Sequence, residues 1–221
     1  MGGHPRRKPP HIYSDAEITG VLQQCRRLSP RAGLRPRTYV AFFSLLLSTG
    51  LRLSEACRLT RDDVDLTTGV LTIRESKFRK SRLVPLHPTT TLALSRYAAY
   101  RDGRDGSGSG RFFQTNCASA LTRAAVEKTF SRIRRRLAWS AQGRTRQPRI
   151  HDFRHTFAVR RLLRWAADRA DVQHEMLALS TYLGHAKVTD TYWYLSAVPE
   201  LMALTAERFE TFVCSDQEAI S

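Results

Sequence analysis

Long hydrophobic runs are absent from this sequence, although 42% of its 221 residues are hydrophobic. A helix that crosses a bilayer needs about 20 consecutive apolar residues, so the sequence predicts no membrane span. The basic N-terminal stretch MGGHPRRKPPH also has no apolar segment of the kind that a secretory signal peptide requires. The hydrophobic content still suffices for a folded core, and the length indicates one main domain.

Cysteines are few, and none of them forms a pair at metal-binding spacing. The four positions are Cys25, Cys57, Cys117 and Cys214. We expect them to be free thiols in a reducing cytoplasm. His151 and His155 are four residues apart and could supply half of a zinc site, but no glutamate lies between them. We therefore expect no metal ion and no other cofactor.

Acidic residues are scarce relative to basic ones. The chain has 36 Lys and Arg against 20 Asp and Glu, a net charge of +16, and its pI is near 10.6. Such an excess predicts a polyanionic partner, and nucleic acid is the simplest candidate. A membrane surface is a competing polyanion, but the sequence offers no apolar segment to insert into it.

Hydrophobic periodicity and capping signals predict a mostly helical chain with one small sheet. Ser14 and Glu17 form a capping-box pattern that is typical of a helix start. The predicted helices cover residues 14–28, 38–50, 53–59, 89–100, 121–139, 152–167, 172–183 and 199–212. Residues 70–73 and 82–86 are predicted strands joined by a charged turn, and residues 29–37, 101–111 and 140–148 are predicted loops. The expected fold class is α+β, mainly α-helical, with a small antiparallel hairpin or sheet.

Four short motifs contain residues that could carry chemistry. TGLRLSEA places Arg52 just after a glycine that ends a helix, and SKFRKSRLVPL places Lys77 and Lys80 in the turn of the hairpin. HDFRHTF places His151 and Arg154 on one face at a helix start. LGHAKVTDTYWYLS follows a Gly-His turn with two tyrosines that flank a tryptophan. Each motif alone also fits a solvated surface or a packed aromatic cluster.

Taken together and in order, the four motifs resemble those of the catalytic domain of the tyrosine recombinase (phage integrase) family. The resemblance extends over roughly residues 14–204. It implies a basic flexible leader at 1–13, a catalytic domain at 14–212 and a C-terminal tail at 213–221. It also implies that the N-terminal core-binding domain usual in the family is absent from this chain.

The resemblance selects Tyr194 as the nucleophile, because the family nucleophile follows the LGH histidine, here His185, by nine positions. Tyr192 would then point to roughly the opposite side of a helix, two steps of about 100° away. Tyr192 and Trp193 are accordingly expected to be packing residues. The implied reaction is attack of Tyr194 on a DNA phosphodiester, which forms a 3′-phosphotyrosine and frees a 5′-hydroxyl.

The resemblance also implies roles for the other motif residues. Arg52 and Arg154 are expected to clamp the phosphate, with His151 as the base, His185 as a donor to the scissile phosphate and Glu55 in support. Lys77 is the expected general acid, and Lys80 is the less favoured alternative. The predicted DNA contacts are Arg79, Lys80, Arg82, Arg134, Arg135, Arg144 and Arg146.

The expected function is site-specific DNA recombination of the integrase or transposase type. The expected partners are double-stranded DNA and, for a full-length protein, three further copies in a tetramer on the DNA. The expected location is the bacterial cytoplasm, in association with the nucleoid. Binding by this chain is expected to be weak and strongly salt-dependent, since it would rest on phosphate contacts.

Two alternatives remain open from the sequence. A type IB topoisomerase uses similar tyrosine, arginine, lysine and histidine chemistry, but it relaxes DNA without joining two different molecules. A non-catalytic DNA-binding module on the same fold would bind DNA and form no covalent adduct.

Overall fold

The computed structural model describes residues 10–74, 81–104, 110–139, 147–168, 172–185, 187 and 189–197. The described chain divides into two compact units, residues 10–157 and the residues from Ala158 onward. The first unit contains helices α1 (Asp15–Arg26), α2 (Leu34–Thr49), α3 (Leu53–Arg58), α4 (Pro88–Asp102) and α5 (Arg123–Arg136), and strands β1 (Val64–Asp65), β2 (Val70–Ile73) and β3 (Arg82–Pro85). Helix α6 (His151–Ala167) begins in the first unit and ends in the second, which also contains α7 (Val172–Leu183) and α8 (Thr189–Ala197).

The first helix begins where its capping box predicts. The Ser14 side chain accepts a hydrogen bond from the backbone N–H of Glu17, and the Glu17 carboxylate accepts one from the backbone N–H of Ser14. These two bonds satisfy amide groups that have no partner inside the helix.

Helix α2 forms the centre of the core of the first unit. It begins at Leu34, four residues before its predicted start. Pro36 is compatible with this start because it lies in the first turn, where its missing N–H removes no helical bond. Phe42 and Phe43 are fully buried and meet other aromatic rings at angles near edge-to-face, a favourable geometry. The helix ends at Gly50, whose φ of 63° lies in the left-handed region that glycine adopts without strain.

The three strands form an antiparallel sheet in the order β1-β2-β3. In the predicted hairpin, Leu71 pairs with Val84, and both side chains are fully buried. Strand β1 is not among the predicted strands. Its two residues are too short a run to show the alternation that identifies a strand in a sequence.

Helix α5 has the predicted apolar stripe, with Val126, Phe130 and Ile133 buried. Helices α6 and α7 match their predicted positions to within one residue. Helix α8 carries the YWY segment, whereas the predicted helix at 199–212 lies outside the described residues. The predicted fold class is confirmed, a mainly helical chain with one small antiparallel sheet.

Candidate active site

A buried carboxylate joins two arginines in the first unit. Glu55 accepts a hydrogen bond from Nη1 of Arg52 at 2.9 Å through Oε1, and its Oε2 accepts one from the backbone N–H of Arg52 at 3.0 Å. Arg82 donates from Nη1 to Oε1 at 3.0 Å and from Nη2 to Oε2 at 2.9 Å. Side-chain exposure is 1% for Glu55, 10% for Arg82 and 25% for Arg52. Glu55 therefore orients Arg52, the more accessible of the two guanidinium groups.

The ionisation of Glu55 depends on these arginines. Burial raises the pKa of its carboxyl group, but the hydrogen bonds and charge of Arg82, and then the bonds from Arg52, outweigh burial and hold the pKa below its ordinary value. Glu55 is accordingly a carboxylate at neutral pH.

The second predicted clamp residue is held at the junction between α2 and α3. Arg154 is buried on the first turn of α6, and its Nη1 donates a hydrogen bond to the Gly50 carbonyl oxygen at 2.8 Å. Gly50 lies two residues before Arg52 in the chain. The structure thus brings Arg52 and Arg154 to the same helix junction from positions that are about a hundred residues apart.

His151 begins α6 and is exposed at the surface. Its pKa lies below the ordinary histidine value because of partial desolvation and the positive charges of Arg154, Arg149 and Arg52. The imidazole is therefore neutral at pH 7 and can accept a proton. His155 packs edge-to-face against it at 4.7 Å between ring centroids, and burial lowers the pKa of His155 to about 4.

The segment before His151 is fixed by a buried acid. The Asp152 carboxylate accepts hydrogen bonds from Nη2 and from the backbone N–H of Arg149, each at 2.8 Å. The Tyr13 hydroxyl donates to the Arg149 carbonyl oxygen at 3.0 Å, and the Tyr13 backbone N–H donates to Thr156 Oγ1 at 2.9 Å. Residues at the two ends of the first unit therefore hold His151 at a defined position.

A cavity of about 550 Å³ opens beside these groups in the first unit. Its ionisable lining residues are Arg52, Arg123, Glu127, Arg134, Arg149 and His151. Four arginines against one glutamate make the cavity strongly positive, so it suits an anion.

The second unit contains the predicted nucleophile and the last predicted histidine. His185 Nδ1 lies 2.6 Å from Thr191 Oγ1, within hydrogen-bond distance, and the Trp193 and Tyr194 rings meet edge-to-face at 5.5 Å between centroids. Tyr194 is 2% exposed and Tyr192 is 43% exposed, so the expected opposite orientation of the two tyrosines on a helix is present. The expectation that Tyr192 is a packing residue is wrong, because its side chain faces outward.

Several predicted residues lie outside the described ranges: Lys77, Arg79, Lys80, Arg144 and Arg146. Arg134 and Arg135 are both described on α5. Arg82 was expected to contact DNA, but both of its terminal nitrogens instead bind the buried Glu55 carboxylate. Sequence reasoning missed this internal role because the partner lies 27 residues away. It also missed Arg149, Asp152 and Tyr13, for which no local pattern was available.

Similarity to known proteins decides the family. The sequence model of the phage integrase family matches residues 16–200, most of the chain. The chain belongs to the phage integrase family. The resemblance to this family that the four motifs indicate is therefore confirmed.

Relatives of this integrase-family chain include the Sinorhizobium fredii protein y4rE, whose name describes it as an integrase/recombinase. The two are 44% identical over 201 residues, which cover 90% of this chain and 64% of y4rE. The tyrosine recombinase XerC of Xanthomonas campestris pv. campestris is 32% identical over 190 residues, which cover 86% of this chain and 52% of XerC. The chain thus spans between half and two thirds of the length of these relatives.

The fold of the integrase-family chain is similar to the crystal structure of XerA recombinase. The TM-score is 0.67 at 23% identity, and the match covers 92% of this chain and 66% of XerA. Among the described residues, no cluster of three or more His, Cys, Asp or Glu side chains is arranged to hold a metal ion. No helix in the described ranges is long and apolar enough to cross a membrane.

Proposed function

We propose that this chain is the catalytic part of a site-specific DNA recombinase, which cleaves and rejoins strands through a 3′-phosphotyrosine. The observation that carries the proposal is a positive cavity lined by Arg52 and His151, with Arg154 bound to the Gly50 carbonyl at the neighbouring helix junction, in a chain of the phage integrase family. These residue types supply what transfer of a DNA phosphodiester needs: positive charge for the phosphate and a neutral base.

In the proposed reaction, the Tyr194 hydroxyl oxygen attacks the phosphorus atom as its proton passes to His151. The bond from phosphorus to the 5′-oxygen breaks, and that oxygen takes a proton from Lys77. Arg52 and Arg154 stabilise the negative charge that gathers on the non-bridging oxygens, to which His185 also donates. Attack by a 5′-hydroxyl on the phosphotyrosine reverses these steps, so the bond is conserved without ATP.

Two features of the described residues bear on this chemistry. The lowered pKa of His151 keeps the imidazole unprotonated at neutral pH, as a base requires. Tyr194 is buried, so its oxygen has to become accessible before it can reach a DNA phosphate. DNA binding would therefore be coupled to a rearrangement around α8.

The proposed partners follow from the chemistry and the charge. Double-stranded DNA supplies the phosphodiester, and the net charge of +16 favours it. Exchange between two duplexes needs four strand cleavages, so we propose that four copies assemble on the DNA. The proposed location is the bacterial cytoplasm, in association with the nucleoid.

A covalent-trap assay tests the proposal. The protein is mixed with supercoiled DNA from its genomic neighbourhood in EDTA, denatured in SDS and examined for protein-linked DNA. We expect an adduct from the wild type and from Tyr192→Phe, whose ring is exposed, and none from Tyr194→Phe. An adduct that persists in Tyr194→Phe would refute the nucleophile assignment. The absence of an adduct from the wild type would refute the proposed strand cleavage and leave a non-catalytic DNA-binding protein.

A second readout separates recombination from relaxation. Two plasmids that carry the same site are incubated together, and junctions between them are amplified. Junctions between the two plasmids are expected from a recombinase. Relaxed plasmids without such junctions would instead indicate an activity of the topoisomerase type.

A further inference from the structure

One face of α5 forms a wall of the cavity that contains Arg52 and His151. The residues on this face are Arg123, Glu127, Phe130, Ser131 and Arg134. Their spacing of four, three, one and three residues places them on a single side of the helix. At a rise of 1.5 Å per residue, the eleven steps from Arg123 to Arg134 extend over about 16 Å. The wall is therefore longer than one phosphate group.

The arginines of this cavity differ in how their charge is compensated. Arg123 forms an ion pair with Glu127 at 2.8 Å, and Arg149 forms one with the buried Asp152, also at 2.8 Å. Arg134 donates from Nη1 to the Pro148 carbonyl oxygen at 3.2 Å, and within the described ranges no carboxylate lies at ion-pair distance from its guanidinium. Arg134 thus presents a whole positive charge at the cavity wall.

Arg134 is hydrogen-bonded to a residue that lies close in the sequence to His151, the proposed base. Pro148, its hydrogen-bond partner, is separated from His151 by two residues. Successive phosphates of one strand rise by about 3.4 Å along the DNA axis, so a strand that has its scissile phosphate at Arg52 and follows the α5 wall would bring further phosphates to that wall. Arginine can bind such a phosphate through its planar fork.

We propose that Arg134 binds a DNA phosphate that flanks the scissile phosphate, and that this face of α5 is a subsite for the substrate strand. The proposal rests on the proposed function, since it takes DNA as the ligand of the cavity. It also distinguishes Arg134 from Arg136, the last residue of the same helix, which is exposed and does not line the cavity.

Arg136 provides a matched control. Arg134→Gln and Arg136→Gln each remove one positive charge from the last turn of α5, so they change the long-range attraction for DNA almost equally. Only the first removes a group from the cavity wall. A difference between the two variants therefore reports a contact with phosphate and not the net charge.

The experiment measures binding of the 221-residue chain to a fluorescently labelled DNA duplex across a series of KCl concentrations. Loss of one phosphate contact makes the negative slope of log K against log [KCl] less steep by about 0.9. We expect this change in Arg134→Gln, with binding about tenfold weaker, as for loss of a hydrogen bond to a charged group. Arg136→Gln should remain close to the wild type, and Arg134→Lys, which keeps the charge, should recover most of the slope.

Two results would overturn the subsite: an unchanged slope in Arg134→Gln, or equal losses in Arg134→Gln and Arg136→Gln. The covalent-trap assay, run in parallel, separates this failure from failure of the proposed function. A wild type that forms the Tyr194 adduct while Arg134→Gln binds DNA normally would refute the subsite alone. A wild type that neither binds the duplex nor forms an adduct would refute both proposals.

Discussion

Replacing Glu55 with glutamine tests whether the buried carboxylate holds the clamp arginines. Glutamine has nearly the same shape, but it is neutral and can accept hydrogen bonds through only one oxygen. Glu55 now accepts four bonds from Arg52 and Arg82, and its side chain is 1% exposed. The substitution would remove the carboxylate charge that faces Arg82, whose side chain is only 10% exposed.

Breaking a buried ion pair from one side typically costs 3–5 kcal/mol, and we take about 3 kcal/mol because Arg52 is partly exposed. For a chain of this size each kcal/mol shifts the Tm by about 2–4 °C, so Glu55→Gln should unfold about 6–12 °C below the wild type at pH 7. Thermal unfolding followed by circular dichroism measures the shift. The same substitution should slow adduct formation, because Arg52 loses the group that orients it.

The pH dependence of this shift gives an independent check. The pKa of Glu55 is lowered by folding, so its stabilising contribution is complete above the unfolded value, about 4.3, and is lost as the pH falls through the folded value. The difference in Tm between the wild type and Glu55→Gln should therefore shrink below about pH 4.

Glu127→Gln is the control for this prediction, since Glu127 forms an exposed, solvent-screened pair with Arg123 whose loss should leave the Tm nearly unchanged. Equal Tm values for Glu55→Gln and the wild type at pH 7 would refute the reasoning. A difference that stays constant down to the acid limit would also refute the electrostatic explanation.

Two further predictions concern the other residues of the candidate site. Arg154→Lys keeps the charge but loses the planar fork of the guanidinium group. The rate of adduct formation in single-turnover assays should therefore fall by about two orders of magnitude, while the DNA affinity changes little. A rate within twofold of the wild type would contradict the clamp role. The wild-type rate of adduct formation should fall with decreasing pH around a midpoint below 6.5, because the base must be neutral and the pKa of His151 is lowered. A midpoint above 6.5, or the same pH profile in His151→Gln, would exclude His151 as the base.

Much of the fold could be predicted from the sequence because its signals are local. The Ser14 and Glu17 capping box, the apolar stripe of α5 and the alternating hairpin strands each depend on neighbours within a few residues. The predictions failed where the local signal was weak. Strand β1 has two residues, and α2 begins in a segment whose proline pattern indicates a loop.

The candidate site likewise contains residues that the sequence predicts and partner groups that it does not. Arg52, His151, Arg154, His185 and Tyr194 could be chosen from the sequence because the short motifs that contain them resemble those of the tyrosine recombinase family. Their partners could not be chosen. The Gly50 carbonyl that holds Arg154 is 104 residues away, and the Glu55 carboxylate that holds Arg82 is 27 residues away.

The sequence by itself determined the fold class, the order of the motifs and the excess of positive charge, all of which are properties of residue type and spacing along the chain. Only the tertiary structure decided that Arg82 faces a buried carboxylate, that Tyr192 faces outward and that Arg134, but not Arg135, lines the cavity. The physical reason is that the direction of a long charged side chain depends on which distant carboxylates, carbonyls and apolar surfaces the packed helices bring within its reach.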